Sequence, residues 1–249
     1  MTVRMPGVPG TRAPDPKYMT FVEHLEELRR RLIICIASIG LGSVLGWFLA
    51  KRIIHILDLP LRQHLHSQKL VVPTIYGGFT LQLKIAIIVG FVVALPVTTW
   101  QLWAFVAPAF GPRANRFGPL VIGSAVVLFA LGATTGYLII PIAVGFFASF
   151  QGSDIQVIPF ASEYVSFVSL ILLVFGVSFE LPLVLVMLSA AGVISSGLLS
   201  SKRVYAFFGI FIFATVVTPG ADWISPLILG GILYVLYELS IIVSRLIGH

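Results

Sequence analysis

The sequence predicts an all-α polytopic membrane protein with six transmembrane helices and both termini on the cytoplasmic side. Three observations carry that expectation. Of 249 residues, 58% are hydrophobic and only 10% are charged, against about 25% charged in a typical soluble domain. Mean hydropathy is +1.02, and several uninterrupted apolar stretches reach the roughly 20 residues that cross a bilayer as a helix. The runs are continuous, whereas a membrane β-barrel is built from short alternating segments.

The elements follow in order. Residues 1–16 (MTVRMPGVPGTRAPDP) are rich in Pro and Gly and read as a disordered tail. Residues 17–249 read as a single membrane domain, with apolar runs at about 32–50, 79–106, 117–147, 164–193, 204–217 and 224–247. The first run is preceded by FVEHLEELRRRL, in which Phe21, Leu25, Leu28 and Leu32 share one helical face. Glu26 with Arg30 and Glu27 with Arg31 form acid-to-base pairs one turn apart, so this stretch reads as an amphipathic helix lying on the membrane surface. Its basic-then-apolar order resembles a secretory leader. The run is too long for that, lacks a small-residue cleavage site and follows three acids, so it is expected to be retained.

The second run carries Lys84 near its outer end, where a lysine can snorkel. It closes on Gln101, Trp103 and Phe105, aromatics of the kind that mark a membrane edge. Gly42-x-x-x-Gly46 in the first run and Gly132-x-x-x-Gly136 in the third permit close helix approach. The fourth run is too long for a straight crossing and offers Pro182 for a kink. The fifth is short, which predicts local thinning of the bilayer or partial burial. TPGADW joins it to the sixth, with Asp222 placed for an Asx-type turn and helix N-cap. Glu238 lies in the cytoplasmic half of the sixth run, suited to pairing or an interfacial position.

Charge sets the orientation. Eleven Lys and Arg fall in the N-terminal segment, the second and fourth loops and the C-terminal end. Four fall in the first loop (Lys51, Arg52, Arg62, Lys69) and none in the third or fifth. The positive-inside rule then places both termini in the cytoplasm. The net charge of +6 reports this topology rather than affinity for nucleic acid.

Cys35 is the only cysteine, so no internal disulfide forms. Zincin, nucleophile-elbow, SxxK, Walker and dinucleotide motifs are all missing. Scattered His and one Cys make no metal site. The expectation is a protein that is not an enzyme and uses no cofactor or metal. An ion-coupled secondary transporter is the competing class. Such folds tend to show internal repeats and midplane sites in broken helices, and no repeat is visible here. A channel lacks a filter-like or charged ring, and an intramembrane enzyme lacks a nucleophile and base.

Two polar features need a reason. Glu180 sits inside VFGVSFELPLVLVML, where a charged residue costs about 2.5–3.5 kcal/mol at a membrane centre. It reads either as a protonated carboxyl bonded to a neighbouring helix or as a polar contact for a ligand or partner helix. FVEHLEELRRRL reads either as a solvated amphipathic helix or as an acidic patch for a basic peptide, since carboxylates match the guanidinium fork.

Further motifs share one order along the chain: F-x-E-H-L-x-E-L-R-x-R-L at residues 21–32, Asp58-Leu59-Pro60-Leu61, and Trp100-Gln101-x-Trp103-Ala104-Phe105-x-Ala107-Pro108-Ala109. Phe175-Gly176-x-Ser178-Phe179-Glu180-x-Pro182, Thr218-Pro219 with Asp222, and Glu238 follow. Together, over about residues 20–247, they resemble the TatC family, receptors of the twin-arginine protein translocase. The resemblance implies a concave, glove-like arrangement of six helices in the plasma membrane. It implies binding of Arg-Arg signal peptides on folded cargo, and work with TatA-like and TatB-like single-helix partners and further copies of itself. It implies transport driven by the protonmotive force. Glu27 matches the acid implicated in arginine recognition, with Arg29 and Arg31 beside it and Phe105 and Pro108 on the cytoplasmic rim. Glu180 matches a polar contact for partner helices, and Gln101 and Thr218 are assigned to the same contact. Pro60 matches a sensitive proline of the first outer loop, and Asp222 belongs to the last outer turn. Many relatives carry a second acid at the position of Ala114, whereas residues 110–118 here contain none. Either Glu23 or Glu26 then joins Glu27, or recognition of the arginines is weaker.

Overall fold

The computed structural model describes residues 21–64, 70–110, 117–149, 158–218 and 223–246. The tail at 1–16, Ala114 and Asp222 lie outside the described residues, and Glu23 is described by its backbone alone. The described residues form α1 (Phe21–His64), α2 (Gly77–Val106), a 3-10 turn (Ala107–Phe110), α3 (Gly118–Ser149) and α4 (Ala161–Ser178). Then come α5 (Leu181–Ala190), α6 (Ser196–Ser201), α7 (Arg203–Val217) and α8 (Ile224–Leu246). Five stretches are long and apolar enough to cross a membrane, with α4 and α5 acting as one, and α7 is a shorter sixth. The six-helix expectation holds. With 15 residues, α7 spans about 22 Å at 1.5 Å per residue, short of a hydrocarbon core of about 30 Å.

α1 packs on α2, both touch α3, α3 packs on α4 and reaches α8, and α5 and α7 pack on α8. The main core gathers Val165, Val168, Ile171 and Phe175 of α4, Ile139 and Ile140 of α3, and Leu229, Leu233 and Ile241 of α8 into one buried cluster. A second, smaller core joins the end of α2 to the start of α3. There Trp103, Ala107 and Val121 pack with Leu183 and Met187 of α5. Trp103 is therefore buried, not part of an exposed aromatic belt as expected.

Small residues set the closest helix approach. A Cβ on Gly42 would stand 2.8 Å from the Gly90 carbonyl oxygen, and one on Gly46 would stand 2.5 Å from that of Ala86. Neither fits, so α1 and α2 lie backbone against backbone. A Cβ on Gly136 would stand 3.1 Å from the Phe175 Cβ, so the second glycine pair serves the α3–α4 contact. At the far end, a single parallel bridge joins Val71 to Phe160. Val71 donates to Pro159 at 3.0 Å and accepts from Ala161 at 2.9 Å, pinning the first loop to the start of α4. Lys84 does not snorkel outward. Its ammonium donates to Ser166 Oγ at 2.6 Å and Ser162 Oγ at 3.2 Å, bridging α2 to α4.

One proline departs from the sequence expectation and a second meets it. The sequence predicts the first run at 32–50, with a separate surface helix before it and Pro60 in a loop after it. Instead α1 is continuous over 44 residues and contains Pro60. Proline lacks the N–H that would bond the carbonyl four residues earlier, here Ile56. Tyr137 of α3 supplies the missing donor, its hydroxyl lying 2.9 Å from the Ile56 oxygen. Tyr164 of α4 donates to the next carbonyl, Leu57, at 2.7 Å. Those two phenols let the helix run through the proline, and Leu57, Asp58 and Leu61 are buried against the core.

Pro182 has the opposite outcome. It denies Ser178 its donor and no helix continues across Phe179 and Glu180. Glu180 N–H turns to the Val177 carbonyl at 3.1 Å, and α5 restarts with Val184 bonding Glu180 at 3.0 Å. The fourth run also ends earlier than 193. Gly192 takes φ +74°, Val193 donates to Leu188 at 3.0 Å and Gly192 to Ser189 at 2.9 Å. That pair of bonds is a Schellman stop. Ser195 then caps α6, its Oγ accepting from Leu198 N–H at 3.1 Å.

The Pro60 arrangement yields a cycle that isolates the surrogate bond. Tyr137→Phe is expected to lower stability in detergent by about 0.5–1.5 kcal/mol. In a Pro60→Ala background the restored amide takes the Ile56 carbonyl, and the cost of Tyr137→Phe falls to near zero. Thermal unfolding of the four proteins measures the coupling.

Candidate functional site

The polar residues gather at one end of the bundle, where α1 starts, α2 ends and α3 begins. Glu27 and Arg31 are one turn apart on α1 and so face the same way. Arg31 Nε donates to Glu27 Oε1 at 2.9 Å, and its Nη2 donates to the same oxygen. Its third arm, Nη1, reaches Gln101 Oε1 of α2 at 3.2 Å. The guanidinium is thus held from two helices. Gln101, expected to face a partner helix, belongs to this cluster.

Glu27 is left with an unusual second oxygen. Oε2 is buried and has no hydrogen-bond partner among the described residues. The pair as a whole is not sealed: the Arg31 and Glu27 side chains keep 22% and 20% of their exposure. His24, one turn before Glu27, stacks on Phe105 with ring centroids 4.4 Å apart and planes at 19°. That contact seats the first turns of α1 on the end of α2. Pro108 is exposed in the adjoining 3-10 turn, while Ala107 beside it is buried. Glu26, Arg29 and Arg30 are exposed and take no part in the cluster. Of the expected binding residues the fold therefore brings together Glu27, Arg31 and Phe105, with Pro108 at the edge. Sequence reasoning misses His24, although helical spacing already puts it on the face of Glu27.

The second feature is Glu180, at the break between α4 and α5. It is half-buried, and its Oε1 is buried without a partner among the described residues. Helical spacing continues its face along α5 to Leu183 and Met187, which pack on the Trp103 core. On its other flank Val177 and Val184 are exposed. The carboxyl thus lies at the rim between packed core and open helix surface.

Thr218 does not join Glu180 or Gln101. It is buried at the far end of α7, and its hydroxyl donates to the Ala214 carbonyl at 2.7 Å. Glu238 pairs with Arg203, not with Arg245: Nε and Nη2 meet its two oxygens at 2.7 and 2.9 Å. Arg245 donates to Ser200 at 2.6 Å, and Tyr237 to the Leu199 carbonyl at 2.7 Å. These bonds fasten α6 and the start of α7 to α8. Among the described residues no group of three or more His, Cys, Asp or Glu is placed to hold a metal.

A family model described as Sec-independent protein translocase protein (TatC) matches residues 23–231. The TatC of Carboxydothermus hydrogenoformans is 36% identical, over 94% of this chain and 96% of that protein. That of Aquifex aeolicus is 35% identical over 92% and 95%, and that of Escherichia coli K12 is 32% identical over 90% and 87%. A crystal structure of the twin arginine translocase receptor TatC superimposes with a TM-score of 0.76 at 32% identity, covering 90% of this chain and 99% of that one. A second, in the detergent DDM, gives 0.78 at 32% identity, covering 89% and 99%.

The His24–Phe105 stack makes a local prediction. An aromatic pair of this kind contributes about 0.5–1.5 kcal/mol. His24→Ala is therefore expected to speed amide exchange in the first turns of α1 by about two- to tenfold, while His24→Phe keeps the wild-type rate. Hydrogen exchange read by mass spectrometry in detergent measures both.

Proposed function

The chain belongs to the TatC family, a family of multi-pass membrane proteins of the Sec-independent translocase, and from that premise we propose that it is the receptor that recognises Arg-Arg signal peptides of folded proteins. The observation that supports this best is the Glu27 carboxylate. It lies at the meeting of α1 and α2, keeps partial exposure, and already accommodates a guanidinium with the fork geometry that arginine presents. Arginine offers planar paired donors, whereas lysine is a compact point charge. A site built on a carboxylate and an amide oxygen, rimmed by Phe105 and Pro108, suits an arginine followed by apolar residues.

The recognition end faces the cytoplasm of the plasma membrane in this reading, in keeping with the Lys and Arg distribution. Residues 110–118 contain no acid, so the second acid is sought on α1. Glu23 and Glu26 are the two acids of α1 that precede Glu27, and one of them takes the second arginine in this reading.

Glu180 has a different role. Its free oxygen at the α4–α5 break gives a polar anchor at membrane depth for a single-helix partner of the TatA or TatB kind. A partner residue able to donate there gains a bond that lipid cannot offer. Assembly with such partners, driven by the protonmotive force, completes the reading.

Two experiments test it. In cells lacking their own receptor, this protein with its native small partners is expected to export a folded reporter bearing an Arg-Arg signal and not a Lys-Lys signal. Glu27→Gln should lower Arg-Arg export by about tenfold or more, the loss of one charge-assisted hydrogen bond. Equal export of both signals would overturn the receptor reading. Separately, Glu180→Ala should leave signal-peptide binding intact and abolish crosslinks from neighbouring positions of α5 to a partner helix. Unchanged crosslinking would remove Glu180 from the partner contact.

A further inference from the structure

Arg29, Arg30 and Arg31 are consecutive, yet only Arg31 is turned inward. Arg29 and Arg30 are exposed, while Arg31 directs two donors to Glu27 and one to Gln101. The same Glu27 oxygen accepts both of the first two. An incoming arginine needs two acceptor positions for its fork, and with Arg31 in place it finds Oε1 taken and Oε2 buried. We propose that Arg31 is an internal occupant of the arginine site, parked on Glu27 and Gln101 in the peptide-free receptor and displaced when a signal peptide binds. The proposal rests on the reading of Glu27 as the acid that receives a signal-peptide arginine.

The physical consequence is a threshold. A site open for only part of the time weakens every ligand by the same factor, the fraction of receptor that is competent. Arg31 therefore lowers the affinity of Arg-Arg and Lys-Lys segments alike. Selectivity between them stays with the acceptor geometry at Glu27, which only a fork can use in full. Occupancy by Arg31 sets how tightly a segment must bind before it is retained, and basic segments without paired arginines fall below that level. Gln101 tunes the threshold, because its oxygen takes one of the three bonds that hold Arg31 in the site. The partial exposure of the pair lets Arg31 swing out without unpacking α1 from α2, whose close contact is carried by Gly42 and Gly46 further along the helix.

The test uses the full chain in lipid nanodiscs and fluorescent synthetic signal peptides with an Arg-Arg or a Lys-Lys pair, read by anisotropy. Arg31→Gln is expected to tighten binding of both peptides by about three- to tenfold, leaving their affinity ratio unchanged. In a Glu27→Gln background Arg31→Gln should have no effect, because the acceptor being blocked is gone. Weaker or unchanged binding in an inserted, monodisperse Arg31→Gln receptor would overturn the proposal. So would a gain confined to one peptide, which makes Arg31 a selectivity contact. A gain that persists with Glu27→Gln would reduce Arg31 to a general repulsive charge and overturn it too. A wild-type receptor that binds both peptides equally would instead remove the receptor reading of Glu27, and the proposal with it.

Discussion

A chain in lipid must satisfy its backbone hydrogen bonds from within, because the hydrocarbon offers no water. The architecture of this protein is organised by how that constraint is met at prolines. Pro60 strips Ile56 of its helical donor, and a phenol 81 residues away replaces it. The helix continues and its last turns become part of the core. Pro182 strips Ser178 in the same way, and there the helix stops and restarts. One proline extends α1 and ties it to α3 and α4. The other opens the only break within a membrane span among the described residues and places Glu180 in it.

The same economy explains the recognition end. Glycines at 42 and 46 bring the α1 and α2 backbones together, and that separation is what allows side chains further along to meet. Arg31 reaches Gln101, and His24 reaches Phe105, because the two axes are already close. Apolar packing of the Trp103 core then connects this end to α5 and so to the neighbourhood of Glu180. That cluster of Trp103, Ala107 and Val121 with Leu183 and Met187 packs α5 against the end of α2 and the start of α3.

The helices themselves are legible from hydropathy, because continuous apolar runs leave few alternatives. Both glycine pairs are legible too, since small residues at four-residue spacing have one common use in membrane helices. What the sequence cannot yield is partners distant along the chain. Pro60 reads as a helix stop until Tyr137 is known to stand beside it. Lys84 reads as a snorkelling lysine until Ser162 and Ser166 are known to face it. Gln101 reads as a partner-helix contact until Arg31, 70 residues earlier, occupies it. Glu238 is expected to pair, but its partner Arg203 lies on another helix. Trp103 reads as an edge aromatic because hydropathy cannot separate lipid-facing from core-facing positions in a helix that is apolar all round. Glu180 stands out from sequence alone, since an acid inside an apolar run conflicts with simple burial, whereas Glu27 is singled out by the family resemblance.

That conflict persists in the folded protein and has a pattern. Lys84, Arg203, Glu238, Tyr164 and Tyr237 all have their polar groups engaged by neighbours. Glu27 and Glu180 each retain a buried oxygen that is not. The hydroxyls of Ser189 and Ser244 are also buried without partners, but a neutral hydroxyl is cheaper to leave than a carboxylate. An unsatisfied buried acceptor costs about 1–3 kcal/mol, and more when charged. Among the described residues Glu27 and Glu180 thus keep a carboxylate oxygen unengaged, and these are the two places that the proposed reading gives to a partner. At Glu27 the opening is partly filled by the chain's own arginine. At Glu180 nothing among the described residues fills it, and the adjoining surface of Val177 and Val184 is bare. In the proposed reading the first arrangement suits a site that rejects weak ligands, and the second suits a site whose occupant is another helix in the same membrane.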